Sequence, residues 1–105
     1  MARSLKNKLY LSGMDGQAAA LARQWHVGYE ITAFSYAPML DAPETAERVR
    51  RDMAGVKRFW LHAPFAELSP CAIDPLVRQV AEKRLLQAAE TASSLGVTRM
   101  VCHGG

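Results

Sequence analysis

Two histidines each close an apolar, strand-like run: His62 in FWLHAPF at 59–65 and His103 in RMVCHGG at 99–105, with a helical segment between them. Neighbouring parallel strands lie ~4.8 Å apart. Two imidazoles at equal height on such strands can reach one ion at Zn–N distances of ~2.0–2.1 Å. A divalent ion (Zn, Mn or Mg) held by imidazoles and carboxylates is a Lewis acid, able to polarise a substrate carbonyl. Catalytic zinc usually takes about three protein ligands, so His62 and His103 form an incomplete set. The carboxylates at hand, Glu67 and Asp74, fall in a loop. Without a metal, each imidazole donates instead to a backbone carbonyl or a substrate hydroxyl. No residue is assigned as the catalytic acid or base.

Three aromatic residues are candidates for substrate binding. Trp60 shares a strand face with His62, where it either floors a substrate pocket by stacking or fills core. Tyr36 and Phe65 follow strand ends and stand as pocket walls. Glu30 begins its strand, at the end of a barrel remote from chemistry, and reads as one half of a structural ion pair. His26 falls at a helix C-terminus, where a cation is mildly favoured, and is given no function.

The elements that must place these groups alternate along the chain. A strand at 9–12 leads to a helix from Asp15, as N-cap, to a stop at Gly28, with Ala18, Leu21, Ala22 and Trp25 as its apolar stripe. YEITAFS at 29–35 is the second strand, followed by a loop holding Tyr36, Pro38 and Asp41. Pro43 opens the second helix, buried through Ala46, Val49 and Met53 and closed by Gly55. In the third strand, Pro64 lacks an N–H and marks the end of ladder pairing. Asp74 with Pro75 starts the longest helix, whose Val77, Val80, Leu85, Ala88, Ala92 and Leu95 recur at three- to five-residue steps up to Gly96.

Alternation of this kind predicts an α/β fold of parallel βαβ units, with four strands and three helices. Side-chain period two then sorts the strands. Tyr10, Ser12, Glu30, Thr32, Trp60, His62, Val101 and His103 share one face, and Leu9, Leu11, Ile31, Ala33, Phe59, Leu61, Met100 and Cys102 the other. The second set is apolar and suits helix packing. The first suits the inside of a barrel, where functional groups collect at the C-terminal strand ends.

At 105 residues the chain is read as a single domain, 1–105, with no internal boundary. No stretch has the length of a signal peptide's apolar core or of a membrane span, so a cytoplasmic location without membrane contact is expected. Cys71 and Cys102 are too few and too isolated for a disulfide framework and are expected as reduced thiols. The net charge of +3 concentrates at Arg48, Arg50, Arg51, Lys57 and Arg58, but Glu44, Glu47 and Asp52 interrupt the cluster. Glu44 and Glu47 stand four residues before Arg48 and Arg51, the pattern of a solvated helix face rather than a nucleic-acid surface.

Residues 62–105 resemble the sugar phosphate isomerase/epimerase superfamily, the xylose isomerase-like TIM barrels that include endonuclease IV. Three features carry the resemblance: H-x-P-F at the third strand; D-P-x-x-R (Asp74, Pro75, Arg78) opening the third helix; and A-x-x-L-G followed by an apolar strand ending in H-x-G. The resemblance implies the first half of an eight-unit barrel, with His62 and His103 ligating or bordering a divalent ion. It also implies further ligands and the paired catalytic carboxylates on later strands, and a small sugar or sugar phosphate as substrate. The alternatives are an abasic-site endonuclease, although FSYAPMLDAPE lacks an Arg- and Trp-bearing insertion for DNA, or a non-catalytic half-barrel module. Four units leave open edges and an uncovered inner face, so self-association or a C-terminal half is the expected partner.

Overall fold

A computed structural model describes residues 5–13 and 16–104. Four short strands, β1 (Tyr10–Ser12), β2 (Gly28–Ile31), β3 (Phe59–His62) and β4 (Met100–Val101), form one sheet in the order β1-β2-β3-β4, all parallel. Helices α1 (Gln17–Trp25), α2 (Pro43–Met53) and α3 (Pro75–Ser94) connect them. The α/β class is that read from the sequence, and the described strands and helices match the four and three expected, arranged as three β/α units followed by a fourth strand.

The register bears out the division into faces. Leu11 pairs with Tyr29 and Tyr29 with Phe59; Ile31 pairs with Leu61 and Leu61 with Met100. These side chains meet Ala18, Ala19 and Ala22 of α1, Val49 of α2, and Ala88 and Ala92 of α3 in one core. The alanines let the helices sit close to the sheet, and Phe34, Ile31, Leu61 and Val49 are its largest fully buried side chains. The opposite face carries Tyr10, Gly28, Glu30, Trp60, His62 and Val101 in matching register.

Several local expectations need correction. The proposed N-cap Asp15 lies outside the described residues. Helix α1 ends at Trp25 because His26 takes the left-handed conformation (φ 56°) usually left to glycine, its N–H bonding back to the Ala22 carbonyl. Gly28 is therefore a strand residue and no helix stop. A Cβ there would lie 2.9 Å from Tyr10 Cγ and nearer still to Cδ2 and Cε2, so its bare backbone is what lets the Tyr10 ring cross β2. Leu21 and Trp25 are exposed, and Ala19 takes their place in the buried stripe, because the short α1 turns its alanine side to the sheet.

Strand β2 stops at Ile31 rather than residue 35, and Thr32–Tyr36 turn into a 3-10 helix, Ala37–Asp41, where loop was expected. Phe34 is drawn from the strand reading into the core because its aromatic ring is worth more buried than paired in a ladder. Helices α2 and α3 begin at Pro43 and Pro75 as expected. Asp74 caps α3, its carboxylate accepting from Leu76 N–H at 2.9 Å. Gly96, at φ 75°, follows its end and suits a residue without Cβ. Val77 and Val80 are exposed, and the buried side of α3 runs through Ala81, Ala88 and Ala92. Cys102 leaves the sheet and is exposed, as is Cys71; both thiols are free. No described helix is long and apolar enough to cross a membrane.

Candidate functional site

His62 is the last residue of β3 and is only partly buried. Its Nδ1 lies 2.7 Å from the carbonyl oxygen of Ala63. A carbonyl only accepts, so Nδ1 carries the proton, and in the neutral ring Nε2 keeps the lone pair. Outer-shell bonds of this type fix a ligating histidine's tautomer and ring orientation.

The Nε2 of His103 stands 3.0 Å from that Nε2. The imidazoles meet nearly edge to face, with centroids 4.9 Å apart and planes at 69°. They do not start at equal height, as the sequence reading required, because His62 pairs in register with Val101. His103 is two residues further on, beyond the end of β4, where the chain has left the ladder. With both rings neutral, His103 donates its Nε2–H to the His62 lone pair, and the two nitrogens share one proton.

With the His103 proton on Nδ1 instead, the other neutral tautomer, both Nε2 atoms would present lone pairs to an ion. Tetrahedral zinc with bonds of ~2.0–2.1 Å separates two nitrogens by about 3.3–3.4 Å, so the observed 3.0 Å needs a widening of only ~0.3–0.4 Å. In donor type and approach the pair fits two positions of a divalent-ion site. Among the described residues no group of three His, Cys, Asp or Glu side chains is placed to hold a metal ion, and neither Glu67 nor Asp74 joins the pair. Asp74 is spent on capping α3.

Phe65 belongs to the site in a way the sequence only partly indicated. Its ring stacks on His103 (centroids 4.5 Å, planes 20° apart) and meets the edge of His62 (5.2 Å, 70°). Its backbone N–H donates to Ser35 O at 3.1 Å, tying the loop after β3 to the loop after β2. Tyr36, next along that second loop, is exposed and makes no ring contact with the imidazoles among the described residues. The Cys71 thiol donates to Gly104 O at 2.8 Å, a tie behind His103 that no sequence pattern announced.

Trp60 shares the inner face with His62, two residues before it, but its ring packs toward β1. It stacks on Tyr10 across Gly28, with ring centroids 3.9 Å apart and planes at 13°. Arg58 covers the outer side of Tyr10, 5.7 Å from the ring centroid, and donates to the Asn7 and Lys6 carbonyls. Trp60 Nε1 is buried without a hydrogen-bond partner among the described residues. Trp60 thus packs on Tyr10 and is only partly buried. Glu30 has no ion pair among the described residues, unlike the structural role expected for it.

Away from the imidazoles, Asp41 bonds Arg84 at 2.9 Å and Gln87 at 2.6 Å, joining the 3-10 helix to α3. These bonds, that of Arg84 first, hold the Asp41 carboxyl below its ordinary range. They line a groove of about 510 Å³ that contains neither histidine. The basic residues of α2 are exposed along a solvated face, as their spacing predicted.

No protein-family model matches the chain, and neither does any curated protein. Among solved structures it is similar to the TTHB071 protein from Thermus thermophilus, in a structure obtained by soaking with ZnCl2. The two chains are 26% identical and superpose with a TM-score of 0.73 over 92% of this chain. The match spans 38% of the Thermus chain.

Proposed function

We propose that this chain is the N-terminal half of a divalent-metal-dependent sugar or sugar phosphate isomerase/epimerase, with His62 and His103 as two of its metal ligands. The observation that carries the reading is the convergence of the two Nε2 atoms to 3.0 Å at the C-terminal ends of adjacent parallel strands. That is the end of β/α barrels where active sites form. The soaking of the similar Thermus protein with ZnCl2 makes zinc the first ion to test.

A divalent ion held by His62, His103 and ligands from later strands would supply Lewis acidity toward a sugar carbonyl. The chain's own residues do three things. His62, held through Nδ1 on the Ala63 carbonyl, presents Nε2 outward. His103 presents Nε2 to the same point. Phe65 gives the site a partly exposed apolar wall for the carbon skeleton of a small polyol. On this reading, carboxylates from later strands complete the ligand set and move the proton. A C-terminal half or a second copy of the chain covers the inner face. Two free thiols accord with a cytoplasmic setting.

The test is Mn2+ relaxation of a ketose phosphate in water, which requires no turnover. The full-length protein, in which later strands complete the ligand set, should when loaded with Mn2+ broaden the sugar's C1 and C3 proton resonances, and His62→Ala or His103→Ala should abolish the effect. Relaxation that survives both substitutions, or is absent from the unsubstituted protein, defeats the proposal. Nicking of a duplex bearing an abasic site would move the assignment to the endonuclease branch, and loss of both signals would leave the non-catalytic module.

A further inference from the structure

The question left by the imidazole pair is what holds His103, which lies past β4 without ladder bonds of its own. Its ring is exposed, and an exposed imidazole ordinarily samples several rotamers. Two contacts oppose that freedom: the Phe65 face at 4.5 Å and the His62 Nε2 at 3.0 Å. The second involves the very atom a ligand would occupy, so it is lost once an ion enters. The Phe65 contact uses the ring face and leaves Nε2 free, so it does not compete with an ion.

The same benzene ring also touches His62, at 70° and 5.2 Å. One side chain therefore sets the angle between both imidazoles. Phe65 is itself fixed: its N–H bonds Ser35 O at 3.1 Å, its carbonyl accepts from Leu68 N–H at 3.2 Å, and the Pro64 before it is buried. The Cys71–Gly104 bond restrains the backbone on the far side of His103. With 39% of its surface exposed, Phe65 stands outside the buried core cluster. Its placement is better explained by the imidazoles it touches than by packing.

We propose that Phe65 is a positioning residue that orients the His62–His103 pair for divalent-ion binding, with the Cys71–Gly104 tie in support. The inference rests on the reading of the pair as metal ligands and goes beyond it by separating the ring that aims the ligands from the ligands. An aromatic contact of this geometry is worth about 2- to 12-fold in an equilibrium constant.

The test is a Co2+ titration followed through the metal's d–d absorption, with Zn2+ as competitor, on the full-length protein carrying the later strands, unsubstituted and as Phe65→Leu, Phe65→Tyr, His62→Ala and His103→Ala. Phe65→Leu keeps apolar bulk and removes the flat face; it should weaken Co2+ binding about 2- to 12-fold and alter the absorption bands. Phe65→Tyr keeps the face and should restore both. A metal-free measurement runs beside it. Stacking at 4.5 Å places the His103 ring protons in the ring current of Phe65, so their NMR resonances should shift upfield and return toward free-histidine positions in Phe65→Leu. Unchanged affinity and spectrum in Phe65→Leu, or no shift of the His103 protons, overturns the inference while the histidine variants still report on the ligands. Absence of Co2+ binding to the unsubstituted protein, or binding indifferent to both histidine substitutions, overturns the ligand reading and the inference together.

Discussion

Gly28→Ala tests the inner face most sharply, because two principles predict opposite signs for it. A glycine inside a strand is ordinarily worse than alanine by roughly 0.5–1 kcal/mol, so on propensity alone the substitution should stabilise. The structure says otherwise. The new Cβ would lie 2.9 Å from Tyr10 Cγ and closer to Cδ2 and Cε2, contacts that displace the ring rather than a flexible chain end. Moving it forfeits the Tyr10–Trp60 stack, worth about 0.5–1.5 kcal/mol beyond area. Overpacking adds about 1–3 kcal/mol. Set against the propensity gain, the net loss is about 0.5–4 kcal/mol, which for a domain of this size lowers Tm by roughly 2–16 °C. Thermal melts and urea titrations followed by circular dichroism would measure it, on Gly28→Ala alone and in a Tyr10→Ala background. With the ring gone the penalty should vanish and the sign reverse, a coupling read from the double-mutant cycle. A Gly28→Ala protein as stable as its parent, or the same loss in both backgrounds, would refute the account of Gly28.

Three further outcomes follow from local chemistry. Asp74→Ala removes the carboxylate that accepts from Leu76 N–H and should cost about 1 kcal/mol in urea titrations, with Asp74→Ser restoring most of it. His26→Gly relieves a left-handed residue that carries a Cβ and should raise stability by roughly 0.5–1 kcal/mol, seen as a higher Tm. Asp41, whose carboxyl is held low by Arg84 and then Gln87, contributes stability that is present above its ordinary value of 3.8 and is lost as pH falls through the lowered folded value. Asp41→Asn should therefore melt slightly earlier than its parent at neutral pH and together with it in strong acid.

The parts of the fold legible in the sequence were those governed by local rules. Asp74-Pro75 and Pro43 marked two helix starts because proline suits the first turn and an Asx side chain caps it. Period two sorted Leu11, Ile31, Leu61 and Met100 from Tyr10, Glu30, Trp60 and His62 because strand side chains alternate whatever the partner. What failed depended on neighbours in space. Gly28 looked like a helix stop because glycine usually is one, and only Tyr10, eighteen residues earlier, explains it as a strand residue. Val77 and Val80 fit a helical stripe equally well on either side of α3, and the sheet selected the alanines. In the site, the convergence of His62 and His103 was legible from their strand-end positions, although the two-residue offset between them was not. The hold of Phe65 on His103 and the Cys71–Gly104 tie depend on how loops fold back, which no periodicity encodes.

The two converging nitrogens belong to segments joined through the twenty-residue helix α3, the longest crossover described. Neither segment alone can present both nitrogens. Any ion bridging them would thus be linked to docking of that crossover, adding RT ln(1 + [L]/Kd) to the stability of the docked form. Chelation should then loosen α3 and β4 ahead of β1 and β2, and amide hydrogen exchange would register that order of release strand by strand.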